Sequence, residues 1–338
     1  RGCTSLKTVR IADDVVEFGT DVFNGCISLT TVVLPNNMQK ISAGFFDGCS
    51  SLTEITLPSG ITEIGERAFK DTNLAQITLS DGITKISDSA FKGAKLVQIT
   101  LSDSITEIGE SAFENCTELT TVVIPANSTL RVIGKYAFAY CRNLETITLP
   151  EGLTTIGTGA FYHKNKDNTA KDLSDSKLEA INLPSSLTAL GDQAFAYTAL
   201  KAIEIPESIT VINEYTFVDC HSLTDVKLPS TLIEIGAYAF RDCVSLVTID
   251  IPESLKIIRK GAFAYCTELT ALALPNEMDT VECGIVQMSN NIKSLAVPFI
   301  GSSSDSVETN VTINHFFTGA ATFGGIPGSL ANLSVYGG

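Results

Sequence analysis

A phenylalanine returns along this chain at a nearly constant interval. Successive copies are separated by 22 to 25 residues, apart from one gap of 34. A constant period of this size indicates one small structural unit stacked many times, because a single unit cannot bury its apolar face alone. The repeated residues are Phe23, Phe46, Phe69, Phe91, Phe113, Phe138, Phe161, Phe195, Phe217, Phe240 and Phe263. The chain is therefore predicted to fold as a solenoid rather than as two or three globular domains.

Each unit places short apolar runs at fixed distances from its phenylalanine. The step Ile147-Thr148-Leu149 alternates with period two and predicts a short strand with one buried face. Pro150 follows directly and ends the hydrogen-bond ladder, because proline has no N–H. A second apolar pair is usually followed by glycine, as at Gly157, which predicts a turn with permissive backbone angles. The Ala-Phe-x-x-Cys segment has the apolar spacing of one or two helical turns packed inward.

The stretch 141–157, CRNLETITLPEGLTTIG, resembles the repeat of the BspA-like, or Treponema-type, leucine-rich repeat family. The resemblance covers about residues 1–298, and segments 297–301 and 326–330 resemble a C-terminal module of some members. It implies an α/β fold, a right-handed leucine-rich-repeat solenoid with a parallel concave β-sheet and short helical turns on the opposite side. The strand segments indicate about 14 repeats of 22–25 residues. The family further implies surface or secreted proteins, often connected with adhesion, and it carries no catalytic residues to transfer.

Breaks in the period suggest how the chain is divided. Residues 1–298 are expected to form the solenoid, with a polar insertion at about 162–177 in the long gap. This insertion is either a tolerated surface loop or part of a working face. Residues 299–338 are expected to form a divergent C-terminal repeat that caps the open coil. The chain begins in mid-repeat, which predicts that its true N-terminus lies upstream.

Composition and charge exclude several functional classes. The net charge of −15 disfavours nonspecific attachment to nucleic acid or to an anionic membrane surface, since both require a basic face. No apolar run reaches the ~18 residues of a transmembrane segment. The sequence contains no phosphate-binding loop, zinc-protease or serine-hydrolase motif, and no cofactor is expected.

Nine cysteines raise the alternatives of disulfides or a metal site. Eight of them share one repeat position, three residues after the phenylalanine; these are Cys3, Cys26, Cys49, Cys116, Cys141, Cys220, Cys243 and Cys266, and Cys283 stands outside. Equivalent side chains on adjacent coils lie about one coil apart, farther than the ~3.8 Å between the Cβ atoms of a disulfide. The phase therefore favours free buried thiols that pack as small apolar groups.

Two sets of residues are candidates for binding. The outward strand positions are mostly Thr and Val in the N-terminal half, then become polar or charged at Asn182, Glu204, Lys227 and Asp250. Six tyrosines lie two residues before or after the phenylalanine: Tyr136, Tyr140, Tyr197, Tyr215, Tyr238 and Tyr265. Aromatic enrichment is typical of an interface, although tyrosine also covers the edge of a core. Solvated surface remains the alternative for the charged set.

These features predict a noncatalytic protein-binding or adhesion module of a cell-surface or secreted protein. Its partner would be a protein, such as a host or neighbouring-cell surface protein. The alternative is a structural spacer that presents another domain of a longer surface protein. An enzyme is not predicted, because no acid, base or nucleophile converges in one place along the repeat.

Overall fold

The computed structural model describes residues 1–15, 17–164, 176–298, 314–318 and 326–335. Two compact units divide the chain: a first unit of Arg1–His163 with 175–184, and a second unit of 164–174 with 185–338. The fold is a parallel β-solenoid of about 12 turns, so the predicted leucine-rich-repeat fold is confirmed, whereas the count of 14 repeats is not. Residues 165–175, most of the predicted insertion, lie outside the described residues, as does most of the segment expected to form a cap.

The described part of the first unit contains eleven short strands. They are β1 (Thr8–Arg10), β2 (Thr31–Val33), β3 (Lys40–Ile41), β4 (Glu63–Ile64), β5 (Lys85–Ile86), β6 (Gln98–Thr100), β7 (Glu107–Ile108), β8 (Thr121–Val123), β9 (Val132–Ile133), β10 (Thr146–Ile147) and β11 (Thr155–Ile156). The predicted strands pair in parallel as β1-β2 and β6-β8-β10 and form the first ladder. A second ladder, β3-β4-β5-β7-β9-β11, contains the residues of the second apolar pair.

The second unit repeats this arrangement within its described residues. Its elements are β12 (Ala189–Leu190), β13 (Ala202–Glu204), β14 (Val211–Ile212), β15 (Asp225–Lys227), β16 (Glu234–Ile235), β17 (Ile257–Ile258), β18 (Ala271–Ala273), β19 (Thr280–Val281), β20 (Ser294–Val297), α1 (Asn314–Phe317) and β21 (Asn332–Val335). The first ladder here is β13-β15 and β18-β20-β21, and the second is β14-β16-β17-β19. β21, which lies within the segment expected to form the divergent C-terminal repeat, pairs in parallel with β20.

The segments around the repeated phenylalanine are not helical in the described residues, so the predicted helical turns are not confirmed. Around Phe138, the N–H groups of Ala137, Ala139 and Cys141 close successive turns onto carbonyls three residues earlier. The N–H groups of residues 136, 138 and 140 donate instead to carbonyls of the following coil at 2.8–2.9 Å. Tyr136 and Tyr140 adopt positive φ values of 54° and 60°, which the right-handed α-helix does not allow. We call the surface formed by residues two before and two after each phenylalanine the turn face.

The glycine after the second apolar pair has a different role from the one that the sequence predicts. Gly65, Gly134 and Gly236 are absent from the residues with positive φ. A Cβ atom at Gly134 would lie 2.7 Å from the carbonyl carbon of Gly109 in the preceding coil. Glycine is therefore favoured because two backbones approach closely there, and the left-handed residues lie on the turn face instead.

The phenylalanines form a stacked column in the core of each unit. Ring centroids of consecutive copies lie 5.2–5.7 Å apart in the first unit, with interplanar angles of at most 20°. In the second unit, the rings from Phe195 to Phe263 are spaced by 5.3–5.7 Å. This column agrees with the inward packing that the sequence predicts for the Ala-Phe-x-x-Cys segment.

Candidate functional site

The cysteine column is part of the core. Seven of the eight cysteines in this column are buried with free thiols, and Cys3 is exposed. The thiols of Cys49, Cys116, Cys141, Cys220, Cys243 and Cys266 lie 3.0–3.3 Å from the phenylalanine carbonyl of the preceding coil and donate to it. Burial raises the pKa of Cys49, Cys141 and Cys220 to about 12, so these thiols stay protonated and unreactive at neutral pH.

Threonine replaces cysteine in two of the shortened coils and donates to the phenylalanine carbonyl of its own coil instead of that of the preceding coil. The Thr72 hydroxyl donates to the Phe69 carbonyl of its own coil at 2.9 Å, and Thr198 donates to Phe195 at 2.8 Å. Both threonines are buried. The column therefore retains a hydrogen bond to the phenylalanine carbonyl, which explains why polar atoms recur inside an apolar core.

The charged strand positions are distributed over both units. Asn182 is exposed in the first unit, whereas Glu204, Lys227 and Asp250 are exposed in the second. Glu204 and Lys227 face each other across β13 and β15 and form an ion pair. Each of these two side chains is 69% exposed, so the pair contributes little to stability. Since each charge is already compensated by its neighbour, this pair offers a partner little unbalanced charge.

All six predicted tyrosines lie on the turn face and have left-handed φ values between 54° and 64°. Each is half-buried. Tyr136 and Tyr140 belong to the first unit, and the other four belong to the second. The structure therefore divides this predicted set into two clusters.

The cluster of the first unit is completed by Tyr162, which the sequence did not single out. Its ring contacts Tyr136 and Tyr140 edge-on, with centroid distances of 6.3 Å and 5.6 Å. Lys135 lies over the Tyr136 ring at 5.4 Å. The Tyr136 ring also occupies the space that a Cβ atom would need at Gly159 in the next coil. Glycine at position 159 thus lets the aromatic ring pack flat against the backbone.

The cluster of the second unit is built around stacked tyrosines and one arginine, Arg241. The rings of Tyr215 and Tyr238 stack with centroids 5.1 Å apart and an interplanar angle of 11°. The Arg241 guanidinium carbon lies 5.6 Å from the Tyr238 centroid and 5.1 Å from the Tyr265 centroid. We call Tyr215, Tyr238, Tyr265 and Arg241 the tyrosine–arginine cluster. Arg241 belongs to a variable repeat position, so only the contacts between coils reveal its role.

Two carboxylates lie beside this cluster. Asp242 accepts a hydrogen bond of 3.0 Å from Arg241 Nε. Burial, followed by the charge of Asp242, raises the pKa of Asp219, to which Tyr197 is hydrogen-bonded. His221 Nε2 lies 3.7 Å from Asp219 Oδ1, and its buried Nδ1 has no hydrogen-bond partner among the described residues. This neighbourhood combines aromatic rings, cations and a destabilised carboxylate on one surface.

A charged bridge spans three consecutive coils elsewhere in the second unit. Arg259, which occupies the usual glycine position, donates from Nε to Glu234 at 2.7 Å and from Nη1 to Glu282 at 3.0 Å. Glu282 also accepts a hydrogen bond from the Lys260 backbone N–H at 2.9 Å. The bridge thus links three coils through one cation that is shared by two carboxylates.

Within the described residues, no group of three or more His, Cys, Asp or Glu side chains is arranged to hold a metal ion. The described helices likewise include none that is both long and apolar enough to cross a bilayer.

Similarity to known proteins identifies the repeat. The sequence model of the family described as BspA type Leucine rich repeat region matches residues 1–94, 62–198 and 188–311. The chain belongs to the BspA-type leucine-rich repeat family. This confirms the resemblance seen in residues 141–157, and the family is one of protein-interaction repeat modules.

Two crystal structures illustrate the relationship. A leucine-rich repeat protein from Bacteroides ovatus is 27% identical, with 88% of this chain and 80% of that chain covered and a TM-score of 0.70. A leucine rich cell surface protein from Faecalibacterium prausnitzii is 26% identical, with coverages of 95% and 78% and a TM-score of 0.51. No curated protein matches the sequence.

Proposed function

We propose that this chain is a noncatalytic, adhesion-type protein-binding module of a cell-surface or secreted protein, and that the turn face of the second unit carries the contact. The observation behind this proposal is the tyrosine–arginine cluster, in which Tyr215, Tyr238 and Arg241 pack against one another. Tyrosine and arginine are enriched among residues that contribute most of the energy of protein interfaces. An extended repeat surface suits a protein partner better than a small molecule.

Rigidity strengthens the case for this cluster over the charged strand positions. The tyrosine backbones are fixed in left-handed geometry, and the Tyr238 and Tyr265 N–H groups donate to neighbouring coils at 2.9 and 2.7 Å. A side chain that is already ordered loses less conformational entropy on binding. By contrast, Glu204 and Lys227 are highly exposed and neutralise each other. Charge reversal at Glu204, Lys227 and Asp250 is accordingly expected to weaken binding less than loss of the tyrosines.

The proposed location rests on family relationship. The similar Faecalibacterium prausnitzii protein is a cell surface protein, and BspA-type repeats give the present chain the same architecture. The acidic composition of the chain is compatible with a protein partner and disfavours nucleic acid.

A displayed library of random 12-residue peptides, selected on the immobilised chain, tests for binding even while the natural partner is unidentified. Peptides should be enriched that bind reversibly with affinities on the order of micromolar. Their binding should fall by about tenfold or more with Tyr215→Asn/Tyr238→Asn, since two interface anchors are removed. The Glu204→Lys/Lys227→Glu variant is the matched surface control.

Two results would contradict the proposal. One is the absence of any peptide enriched above selection on bare support. The other is a set of peptides whose affinity is indifferent to both variants. Either outcome would favour the spacer function, in which the hydrogen-bonded coils serve only to hold another domain at a distance.

A further inference from the structure

Arg241 is held in a geometry that leaves its terminal nitrogens available. Its Nε donates to Asp242, and its guanidinium carbon lies within 5.6 Å of the ring centroids of Tyr238 and Tyr265. Among the described residues, Nη1 and Nη2 make no hydrogen bond, and the side chain is 39% exposed. A guanidinium fixed at one edge presents two donors to a planar anion without first losing much rotational freedom.

A second cation extends this donor surface. Lys260 lies one coil after Tyr238 at the neighbouring repeat position, where its carbonyl accepts the Tyr238 N–H at 2.9 Å, and the nearby Tyr238 hydroxyl raises the pKa of its ammonium group. The Tyr215 ring stacks on Tyr238 and adds an apolar surface with a polar edge. Gly261 permits this arrangement, because a Cβ atom there would lie 2.5 Å from Tyr238 Cε1. The donors of Arg241 and Lys260 therefore border a rigid aromatic surface.

We propose that the tyrosine–arginine cluster, together with Lys260, binds a carboxylate side chain in an acidic segment of a partner protein. The proposal rests on the proposed protein-binding function and specifies its chemistry. The Nη1 and Nη2 groups of Arg241 bind the carboxylate oxygens, and Lys260 supplies the second positive charge. The rings of Tyr215 and Tyr238 contact the methylene groups of the bound side chain.

The surrounding charges favour a short acidic protein segment over a long polyanion such as a sulfated glycan. Asp219 and Asp242 lie next to Arg241, and the whole chain carries a net charge of −15. A polyanion would bring many negative groups close to these carboxylates, whereas a single bound carboxylate brings only one. Aromatic rings beside the cations also match the mixed apolar and acidic character of a protein surface.

The probe is an acetylated hexaglutamate peptide, which is titrated into the full chain at low ionic strength. Binding is followed by NMR through the Arg241 Nε–Hε resonance. Saturable binding with a dissociation constant on the order of millimolar is expected for so short a ligand. Arg241→Gln should weaken it by about tenfold, because a charge-assisted bidentate contact is lost. Lys92→Gln is the matched control: Lys92 occupies the same repeat position as Arg241 and is also ion-paired, but its single ammonium group is bound to Glu114 at 2.7 Å, whereas Arg241 pairs through Nε and keeps two terminal nitrogens. Its effect should stay within about twofold.

For the variants, the titration is followed by calorimetry, and urea denaturation of each variant checks that the fold is retained. Raising the salt concentration should also weaken binding of the glutamate peptide. Equal weakening by Lys92→Gln, or tighter binding of a hexalysine peptide, would overturn the assignment. Preferential, Arg241-dependent binding of a heparin hexasaccharide would assign the cluster to glycans instead. If displayed peptides bind through Tyr238 but hexaglutamate does not, this inference fails while the protein-binding function stands.

Discussion

The phenylalanine column and the turn face are only two residues apart in each coil, yet they differ in the range of side chains that they accept. The column contains Phe113, Phe138 and their equivalents, stacked at nearly constant spacing. The turn face accepts Asp21, Arg67, Ser89, Asn115, Tyr136, Gln193, Met288 and several glycines, all with positive φ. The difference teaches that this solenoid fixes its backbone by hydrogen bonds between coils and leaves the neighbouring side chains free to vary.

The left-handed backbone conformation of the turn-face residues is energetically unfavourable, and hydrogen bonds between coils offset this locally. A non-glycine residue in this conformation is disfavoured by roughly 1–2 kcal/mol. The same residues donate backbone hydrogen bonds to the next coil, as Tyr238 does to Lys260 and Asp242 to Ala264. Because this compensation is independent of the side chain, a tyrosine cluster can be placed on the turn face without redesign of the core.

The largest effect should come from the column. Phe113→Ala removes a fully buried ring that stacks on Phe91 at 5.4 Å and on Phe138 at 5.2 Å. The free energy of unfolding should fall by about 3–5 kcal/mol, as measured by urea denaturation. Phe113→Leu, which retains most of the apolar volume, should cost clearly less. A loss below about 1 kcal/mol for the alanine variant would break the distinction between column and turn face.

The glycine position next to the second ladder should give the next largest effect. Gly134→Ala forces a methyl group against the Gly109 backbone, with a Cβ-to-carbon distance of 2.7 Å before relaxation. The resulting displacement of the two coils should cost about 1–3 kcal/mol in urea denaturation.

Gly60→Ala is the matched control for this substitution. The nearest atom to a Cβ there is the Met38 carbonyl oxygen at 3.6 Å, and φ is not positive. The control should therefore be close to neutral. Equal destabilisation by both substitutions would contradict the explanation by close backbone approach.

The periodicity of the sequence could predict the core but not the way in which the coils turn. The phases of Phe138, Cys141 and Leu144 were sufficient to place the apolar column and the buried thiols. The second ladder was missed because strands of two residues, such as Glu63–Ile64, are too short to show a period of two. The Ala-Phe-x-x-Cys spacing fits a helix and a series of left-handed turns equally well, so the helical prediction failed.

The candidate site was predictable only in part. The tyrosine positions follow from their distance to the phenylalanine, and all six lie on the turn face. Arg241 and Tyr162 could not be found in this way, because their partners are separated from them in sequence and lie at different repeat positions. The common phase of Glu204 and Lys227 could place both at outward strand positions, whereas their pairing with each other became clear only from the register of β13 and β15.

A smaller effect is expected from the charged bridge of the second unit. Arg259→Gln removes two partly exposed ion pairs, to Glu234 and Glu282. The free energy of unfolding should fall by roughly 1 kcal/mol at low salt, because solvent screens charges at this exposure. The same comparison at high salt should give a reduced difference. A difference that does not change with salt would show that packing, rather than charge, is responsible.

The smallest effect should be a pH-dependent gain on the turn face itself. The pKa of Asp219 is raised by burial and by Asp242, so the native state binds this proton more tightly than the unfolded chain does. Its contribution to stability therefore falls as pH rises from below the unfolded value of about 3.9 through the raised folded value. Asp219→Asn should increase the melting temperature at pH 7, and the gain should disappear near pH 3.

Asp242→Asn provides the comparison for this variant. Asp242 shares the repeat position and positive φ of Asp219, but its carboxylate accepts the hydrogen bond from Arg241 Nε. Its replacement should lower the melting temperature at pH 7, because a charge-assisted hydrogen bond is weakened. A gain for both variants would indicate relief of repulsion between the two carboxylates rather than of burial at Asp219 alone.

Paired urea denaturation of Phe240→Ala and Tyr238→Asn tests the central claim most directly, because the two residues belong to one turn of the second unit. Phe240→Ala should lower the free energy of unfolding by about 3–5 kcal/mol, as expected for a buried ring. Tyr238→Asn should cost less than about 1.5 kcal/mol, since asparagine tolerates the left-handed conformation and the ring is only half-buried. A Tyr238→Asn variant as unstable as Phe240→Ala would contradict the account, because the turn face would then be part of the core.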